Sequence, residues 1–133
     1  MSGGAAAPQN GAELRTRVCE LAARLGLKWN TEVTAGRRVW GAVRRIDVVL
    51  TDPRTGRRLG VECKYQGIGG SAEEKIPATI KDMEFWPVAG IVVIAGDGFS
   101  RNMQAYLLAS GKVVWLEDLE AWLRLYFSLE IDG

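Results

Sequence analysis

The stretch that most limits how this chain folds is Arg57-Arg58-Leu59-Gly60-Val61-Glu62-Cys63-Lys64-Tyr65-Gln66. Its residue types alternate with the period of a strand, whose successive side chains point to opposite faces. Leu59, Val61, Cys63 and Tyr65 form one face, suited to a core. Gly60, Glu62, Lys64 and Gln66 form the other, so a carboxylate, an ammonium and an amide stand in a row at the strand's end. Such a row fits a solvated sheet face with a crossed charge pair, and it also fits a reactive site.

Just upstream, Val43-Arg44-Arg45-Ile46-Asp47-Val48-Val49-Leu50 reads as an apolar strand with one acid inside it. Asp52-Pro53-Arg54-Thr55-Gly56 has turn chemistry, so the two strands are expected to form a hairpin. A carboxylate among Ile46, Val48, Val49 and Leu50 is costly unless it is paired or holds a cation. The hairpin can bring Asp47 beside Glu62. Two acids placed together raise one another's pKa unless a positive charge lies between them. Lys64 is one source of that charge. A divalent metal, which prefers carboxylate and carbonyl oxygens, is the other.

An acid at the end of one strand, a turn, then Glu-x-Lys on the next strand resembles the PD-(D/E)xK nuclease superfamily, with its restriction-endonuclease-like fold. Asp47 and Glu62-Cys63-Lys64 are the matching positions, with Ile46 where the pattern has Pro. Gln66 extends the second half to Glu-x-Lys-x-Gln, a variant the superfamily also shows. Gly69-Gly70-Ser71-Ala72-Glu73-Glu74-Lys75-Ile76 is similar to the segment that follows in some restriction endonucleases. The resemblance implies a metal-dependent deoxyribonuclease. Asp47, Glu62 and the backbone carbonyl of Cys63 would hold Mg²⁺ or Mn²⁺. Lys64 would orient the attacking water or stabilise transition-state charge, and Gln66 would hold a water or a phosphate oxygen. Related nucleases often add an acid from the first helix. Glu13 and Glu20 both fit one flank of that helix, and Glu13 resembles the placement in archaeal Holliday-junction resolvases. Its other reading is a solvent-facing acid favoured by the helix N-terminus. The implied partners are DNA and a second copy of the chain, as a symmetric homodimer. Restriction, junction-resolving, repair and toxin nucleases all use this chemistry.

Composition tests that reading. A chain of 133 residues, 47% hydrophobic, makes one globular domain with a real core. No apolar run approaches the roughly 20 residues of a membrane helix, and the N-terminus lacks the pattern of a signal peptide, so a cytoplasmic location is expected. Two cysteines imply no disulfide framework, and Cys63 reads as a core thiol. The absence of histidine excludes Ser-His-Asp chemistry. Gly96-Asp97-Gly98 lacks the Gly-Lys-Ser/Thr of a phosphate-binding loop, so no small-molecule cofactor is expected. The net charge of +1 is not that of a bulk nucleic-acid binder and fits a rival reading, a non-catalytic DNA- or protein-binding module that keeps the fold. The intact Asp47, Glu62 and Lys64 set fits the enzyme instead, because a binder does not need two acids facing phosphate. Charge is also uneven. Arg37, Arg38, Arg44, Arg45, Arg54, Arg57 and Arg58 are opposed locally only by Asp47 and Asp52. That excess either follows a phosphate backbone or keeps an exposed hairpin soluble. The candidate DNA contacts are Arg37, Arg38, Arg45, Lys75 and Lys81.

The order of elements agrees with the resemblance. Residues 1–10 read as a disordered tail before a single domain over 11–133. A helix is expected from about Ala12 to Leu25, with Leu14, Val18, Leu21, Ala22 and Leu25 inward and Gly26 as its stop. Strands follow at Lys28–Thr34, Val39–Thr51 and 57–66, with a turn at Gly36–Arg38 and Trp29 and Trp40 as packing aromatics. Ser71 and Glu74 fit a capping box. The helix after it, with Pro77 in its first turn, starts near Ile76 and places Ile76, Ile80 and Met83 inward. Ala89-Gly90-Ile91-Val92-Val93-Ile94-Ala95 reads as a strand buried on both faces. A helix at about Ser100–Ala109, a strand at Lys112–Leu116 and a helix at Glu117–Phe127 complete an α/β chain. Its expected architecture is an αβββαβ core with a mixed central sheet flanked by helices.

Overall fold

The computed structural model describes residues 7–37 and 43–129. Helix α1 (Gly11–Arg24) begins where the Asn10 side chain accepts the Glu13 N–H at 2.8 Å. It ends at Gly26, whose φ of 82° lets the Gly26 and Leu27 N–H groups turn back to the Ala23 and Ala22 carbonyls. Residues 1–6 of the expected tail lie outside the described residues. Pro8, just before the helix, is buried, and Gln9 and Asn10 take part in the cap, so order begins earlier than the composition implies.

Among the described residues, one sheet is built from β1 (Lys28–Arg37), β2 (Val43–Thr51), β3 (Arg58–Tyr65), β4 (Ala89–Ala95) and β5 (Val113–Trp115), side by side in chain order. β1, β2 and β3 are antiparallel, and β4 and β5 run parallel to β3. The parallel strands need crossovers, supplied by α2 (Ile76–Asp82) and α3 (Arg101–Ser110), and α4 (Leu119–Tyr126) closes the described chain. This is the expected α/β architecture, a mixed sheet flanked by helices. No helix among the described residues is long and apolar enough to cross a membrane.

Each face of the sheet has its own core. Leu14, Val18 and Cys19 of α1 and Leu119 and Leu123 of α4 pack with Val48, Val61, Cys63 and Val93. Ile76, Met83 and Trp86, from α2 and the turn after it, pack with Ile46, Val49, Val92 and Ile94. β4 contributes to both, as its unbroken apolar run requires. On the α2 side β3 offers Arg58, Gly60, Glu62 and Lys64, with no apolar side chain among them. Trp86 exploits this. Gly60 and Gly90 are partners across β3 and β4, and a Cβ on either would stand 2.7 or 2.6 Å from the Trp86 ring.

Beyond the tail, the fold differs from the sequence reading at three further places. β1 does not turn at Gly36 but runs to Arg37, with Gly36 (φ 92°) inside a register shift between Thr34 and Arg37. A bulge uses the same backbone freedom as a turn. Trp29 is 46% exposed on the edge strand rather than packed. Ser71 makes no side-chain cap. Ala72–Lys75 form a 3₁₀ turn, and the Glu73 N–H goes to the Gln66 amide oxygen at 2.6 Å. α2 itself starts at Ile76 with Pro77 in its first turn, as expected. Residues 38–42, including Trp40 and the expected start of the acidic strand, lie outside the described residues.

The Trp86 seat is testable. Gly90→Ala should lower the unfolding free energy by about 1–3 kcal/mol, because the added methyl meets a rigid ring already packed on both glycines. Urea denaturation measures this, and a variant as stable as wild type would mean the ring has room to move.

Candidate active site

The site forms where two strands part. The β2–β3 ladder pairs Thr51 with Arg58 through Val48 with Val61 and then stops. Beyond it, Asp47 Oδ2 accepts the Cys63 N–H at 2.9 Å. A side-chain carboxylate thus takes a β3 donor that a continuing ladder would give to backbone. β2 also turns over here, since Ile46 packs in the α2-side core and Val48, two residues on, in the α1-side core. On the other flank, Glu32 lies between the pairs Thr31–Val48 and Val33–Ile46, with a φ of 51°. A non-glycine residue in that region is strained, and the strain sits level with Asp47.

Glu62 follows from the alternation of β3. It shares the α2-side face with Gly60 and is 9% exposed. Burial, and then the Asp47 carboxylate beside it, push its pKa from 4.5 up to about 8. Lys64 acts in the opposite sense but does not prevail. The lysine therefore does not by itself offset the burial and the neighbouring acid. Two converging carboxylates are the donor set that a hard divalent ion such as Mg²⁺ takes, with water completing its shell. Among the described residues no third Asp, Glu, Cys or His side chain joins them. The Cys63 thiol faces the α1-side core, where burial raises its pKa, so only its backbone is at hand.

Asp47, Glu62 and Lys64 line one groove of about 590 Å³ together with Arg45, Lys75 and Lys81. Three of the five expected DNA contacts are thus gathered around the carboxylates. Arg38 and the side chain of Arg37 lie outside the described residues. Of the rest of the arginine excess, Arg44, Arg54 and Arg57 have structural partners. Arg44 is buried, with its Nε 3.0 Å from both Asp82 oxygens. Arg54 grips the buried Asp52 in the hairpin turn, which holds the Asp52 pKa below its ordinary value. Arg57 lies 4.5 Å over the Tyr126 ring and donates to the Tyr126 carbonyl.

Three expected site residues are placed elsewhere. Glu13 is exposed at the start of α1, where its carboxylate accepts the Gln9 N–H at 2.9 Å. It does not line the groove, because α1 packs on the Val61 and Cys63 face of the sheet, opposite Glu62. Glu20 is also exposed and lines a shallow depression beside Trp29. The Gln66 amide is not turned to the groove either. It is 3% exposed and donates to Glu73 Oε1 at 2.6 Å and to the Gly98 carbonyl at 2.8 Å, while its oxygen takes the Glu73 N–H. Glu73 in turn accepts the backbone N–H and hydroxyl of Ser100, both at 2.9 Å, which lowers its pKa. This clamp ties the segment before α2 to the start of α3. Glu73 escaped the sequence reading because a capping box satisfies a helix end locally, whereas here the partner lies seven residues upstream. Asp82, also unforeseen, has its partner 38 residues away.

The family model of the PD-(D/E)XK nuclease superfamily domain matches residues 7–121, and the chain belongs to this superfamily. No curated protein gives a significant match. Two solved structures share the fold. One, titled protein of unknown function AF1548, is 22% identical with a TM-score of 0.52, over 76% of this chain and 54% of that one. The other, protein VC1899 from Vibrio cholerae, is 14% identical with a TM-score of 0.54, over 89% of this chain and 33% of that one. The chain therefore spans about half and a third of their lengths, and the likeness is one of fold.

Two measurements test the geometry. Gln66→Ala leaves the Glu73 N–H and the Gly98 carbonyl without their partner and should cost about 1–3 kcal/mol in denaturant unfolding. An unchanged midpoint would mean water replaces the amide. For Glu62, the folded chain keeps a proton that the unfolded chain releases between pH 4.5 and about 8. Its contribution to stability is whole below that window and is lost as pH rises through about 8. In chelator, wild type should therefore lose on the order of 1–3 kcal/mol relative to Glu62→Gln between pH 5 and pH 9. Parallel pH profiles would mean that Glu62 is already ionised at neutral pH.

Proposed function

We propose that this groove hydrolyses DNA phosphodiester bonds, with a divalent cation, Mg²⁺ or Mn²⁺, held by Asp47 and Glu62. The observation that carries the reading is the convergence of two carboxylates, Asp47 and Glu62, beside Lys64 in a groove that also holds Arg45, Lys75 and Lys81. Membership in the superfamily supports it. Besides the two carboxylates, the Cys63 carbonyl is the further donor assigned to the cation.

When bound, the cation supplies Lewis-acid polarisation of the scissile phosphate and acidification of a water. The chain supplies the rest. Asp47 and Glu62 would hold the cation and so set where it stands in the groove. Lys64 donates to the attacking water or to a non-bridging phosphate oxygen as charge builds there. Arg45, Lys75 and Lys81 take the neighbouring phosphates, a sequence-independent contact that weakens as salt rises. Gln66 acts as a positioning residue through Glu73, and Glu13 has no part in the chemistry. Cutting both strands would take two copies, so the active form in that case is a symmetric dimer.

The test is cleavage of supercoiled, linear, single-stranded and branched DNA with Mg²⁺ or Mn²⁺. Asp47→Ala and Lys64→Ala should each lose about 100-fold or more in rate, whereas Glu13→Ala should cut as wild type does. No cutting of any substrate by folded, metal-bound protein would leave a binding module in place of the enzyme. A Lys64→Ala protein with the wild-type rate would remove Lys64 from the mechanism.

A further inference from the structure

We infer that Phe85 is a stacking platform for an unpaired base beside the scissile phosphate, so that the site takes single-stranded or locally unpaired DNA in preference to intact duplex. This rests on the nuclease reading and narrows its substrate class. Phe85 follows α2 in a 3₁₀ turn, lines the same groove as Asp47, Glu62 and Lys64, and is 67% exposed. A lone exposed phenylalanine is ordinary on a protein surface. This one is held in place. The Arg44 guanidinium lies 5.6 Å from the ring centroid, over its face. Arg44 is itself 7% exposed and fixed to both oxygens of Asp82. Asp82 also accepts the indole N–H of Trp86 at 3.3 Å, and Trp86 is seated on Gly60 and Gly90. A chain of contacts thus runs from the sheet to one face of the ring, and the ring's exposure leaves it open to a ligand.

A flat apolar surface at the edge of a cationic groove is the combination that binds single strands, because a base offers its π-face while the backbone follows the charges. Arg45, Lys75 and Lys81 supply the charges here. In a continuous duplex both faces of each base are covered by its neighbours in the stack, so Phe85 gains nothing from it unless a base is first displaced. The guanidinium behind the ring holds it without filling the groove. Preference for unpaired DNA then comes from a preformed surface.

The experiment uses the full chain with Ca²⁺ in place of Mg²⁺ to hold turnover down. It compares binding of a single-stranded oligonucleotide carrying 2-aminopurine with binding of the fully paired duplex. Wild type should bind the single strand more tightly and change the 2-aminopurine emission as the base stacks. Phe85→Ala should weaken single-strand binding at least fivefold, roughly the lower end of one base–aromatic stack, and abolish the emission change. Phe85→Trp should restore both, and thermal melts of the two variants verify folding. Equal affinity of wild type for duplex and single strand, or wild-type binding by Phe85→Ala, overturns the inference. The two readings fail separately. Phe85-dependent binding without metal-dependent cleavage would sink the nuclease reading alone. Asp47-dependent cleavage with no effect of Phe85→Ala would sink the stacking reading alone. No binding of either DNA would overturn both.

Discussion

The hydrogen bond from the Cys63 N–H to the Asp47 carboxylate is the contact on which the site depends. A hairpin that paired to its end would satisfy the Cys63 N–H with backbone and leave the Asp47 carboxylate without that donor. Ending the ladder at Val48 and Val61 frees one β3 donor, and a carboxylate takes it. That fixes Asp47 beside Glu62, which the alternation of β3 has already turned inward. The neighbouring acid and the burial of Glu62 make the pair unfavourable as two bare charges. A divalent ion between its members would offset that repulsion, which is why the pair suits a hard cation.

The groove needs a wall as well as this pair, and the wall is α2 with its flanking turns. Its two ends are anchored differently. At the start, Gln66, Glu73 and Ser100 clamp the 3₁₀ turn to the tip of β3 and the first turn of α3. At the end, Trp86 rests on the Gly60–Gly90 pair, and Asp82 joins Arg44 of β2. Lys75 and Lys81, one toward each end, are carried by a segment whose position is set by the sheet. Two of these anchors use residues a surface-charge argument would assign to DNA or to catalysis. Arg44 and Gln66 are buried instead, with their hydrogen bonds made inside the protein. They shape the groove without lining it.

Much of this could be read from the sequence because local patterns were not overridden. The apolar run at Ala89–Ala95 has one solution, a strand covered on both faces. The alternation from Leu59 to Gln66 placed Glu62 and Lys64 on a common face, and the turn chemistry at Asp52–Gly56 placed Asp47 next to them. Gly26 stops α1 because its left-handed conformation suits glycine. What could not be read depends on distant partners. The face reversal between Ile46 and Val48 has no sequence period. The Gln66 amide looked free because Glu73 and Gly98 reach it only after the chain folds. Glu13 is a ligand only by the resemblance to resolvases; its helix lies across the sheet from the carboxylates, and Glu13 is the solvent-facing acid of the helix start. Trp29 looked like core because tryptophan usually is, yet it is on the edge strand β1. Phe85 carries no signal in the sequence, since what lies against its ring, Arg44 paired with Asp82, comes from a strand far upstream.

The most direct test of the central claim, that Asp47 and Glu62 make a cation site, is a titration of the chain with Mn²⁺ followed by electron paramagnetic resonance. Wild type should bind Mn²⁺ saturably, and Asp47→Asn and Glu62→Gln should each weaken binding about tenfold or more, at least the scale of losing an outer-shell partner. Glu13→Gln should bind as wild type does. Mn²⁺ binding unchanged in both carboxylate variants would contradict the account, because the pair would then be buried for some reason other than holding a metal.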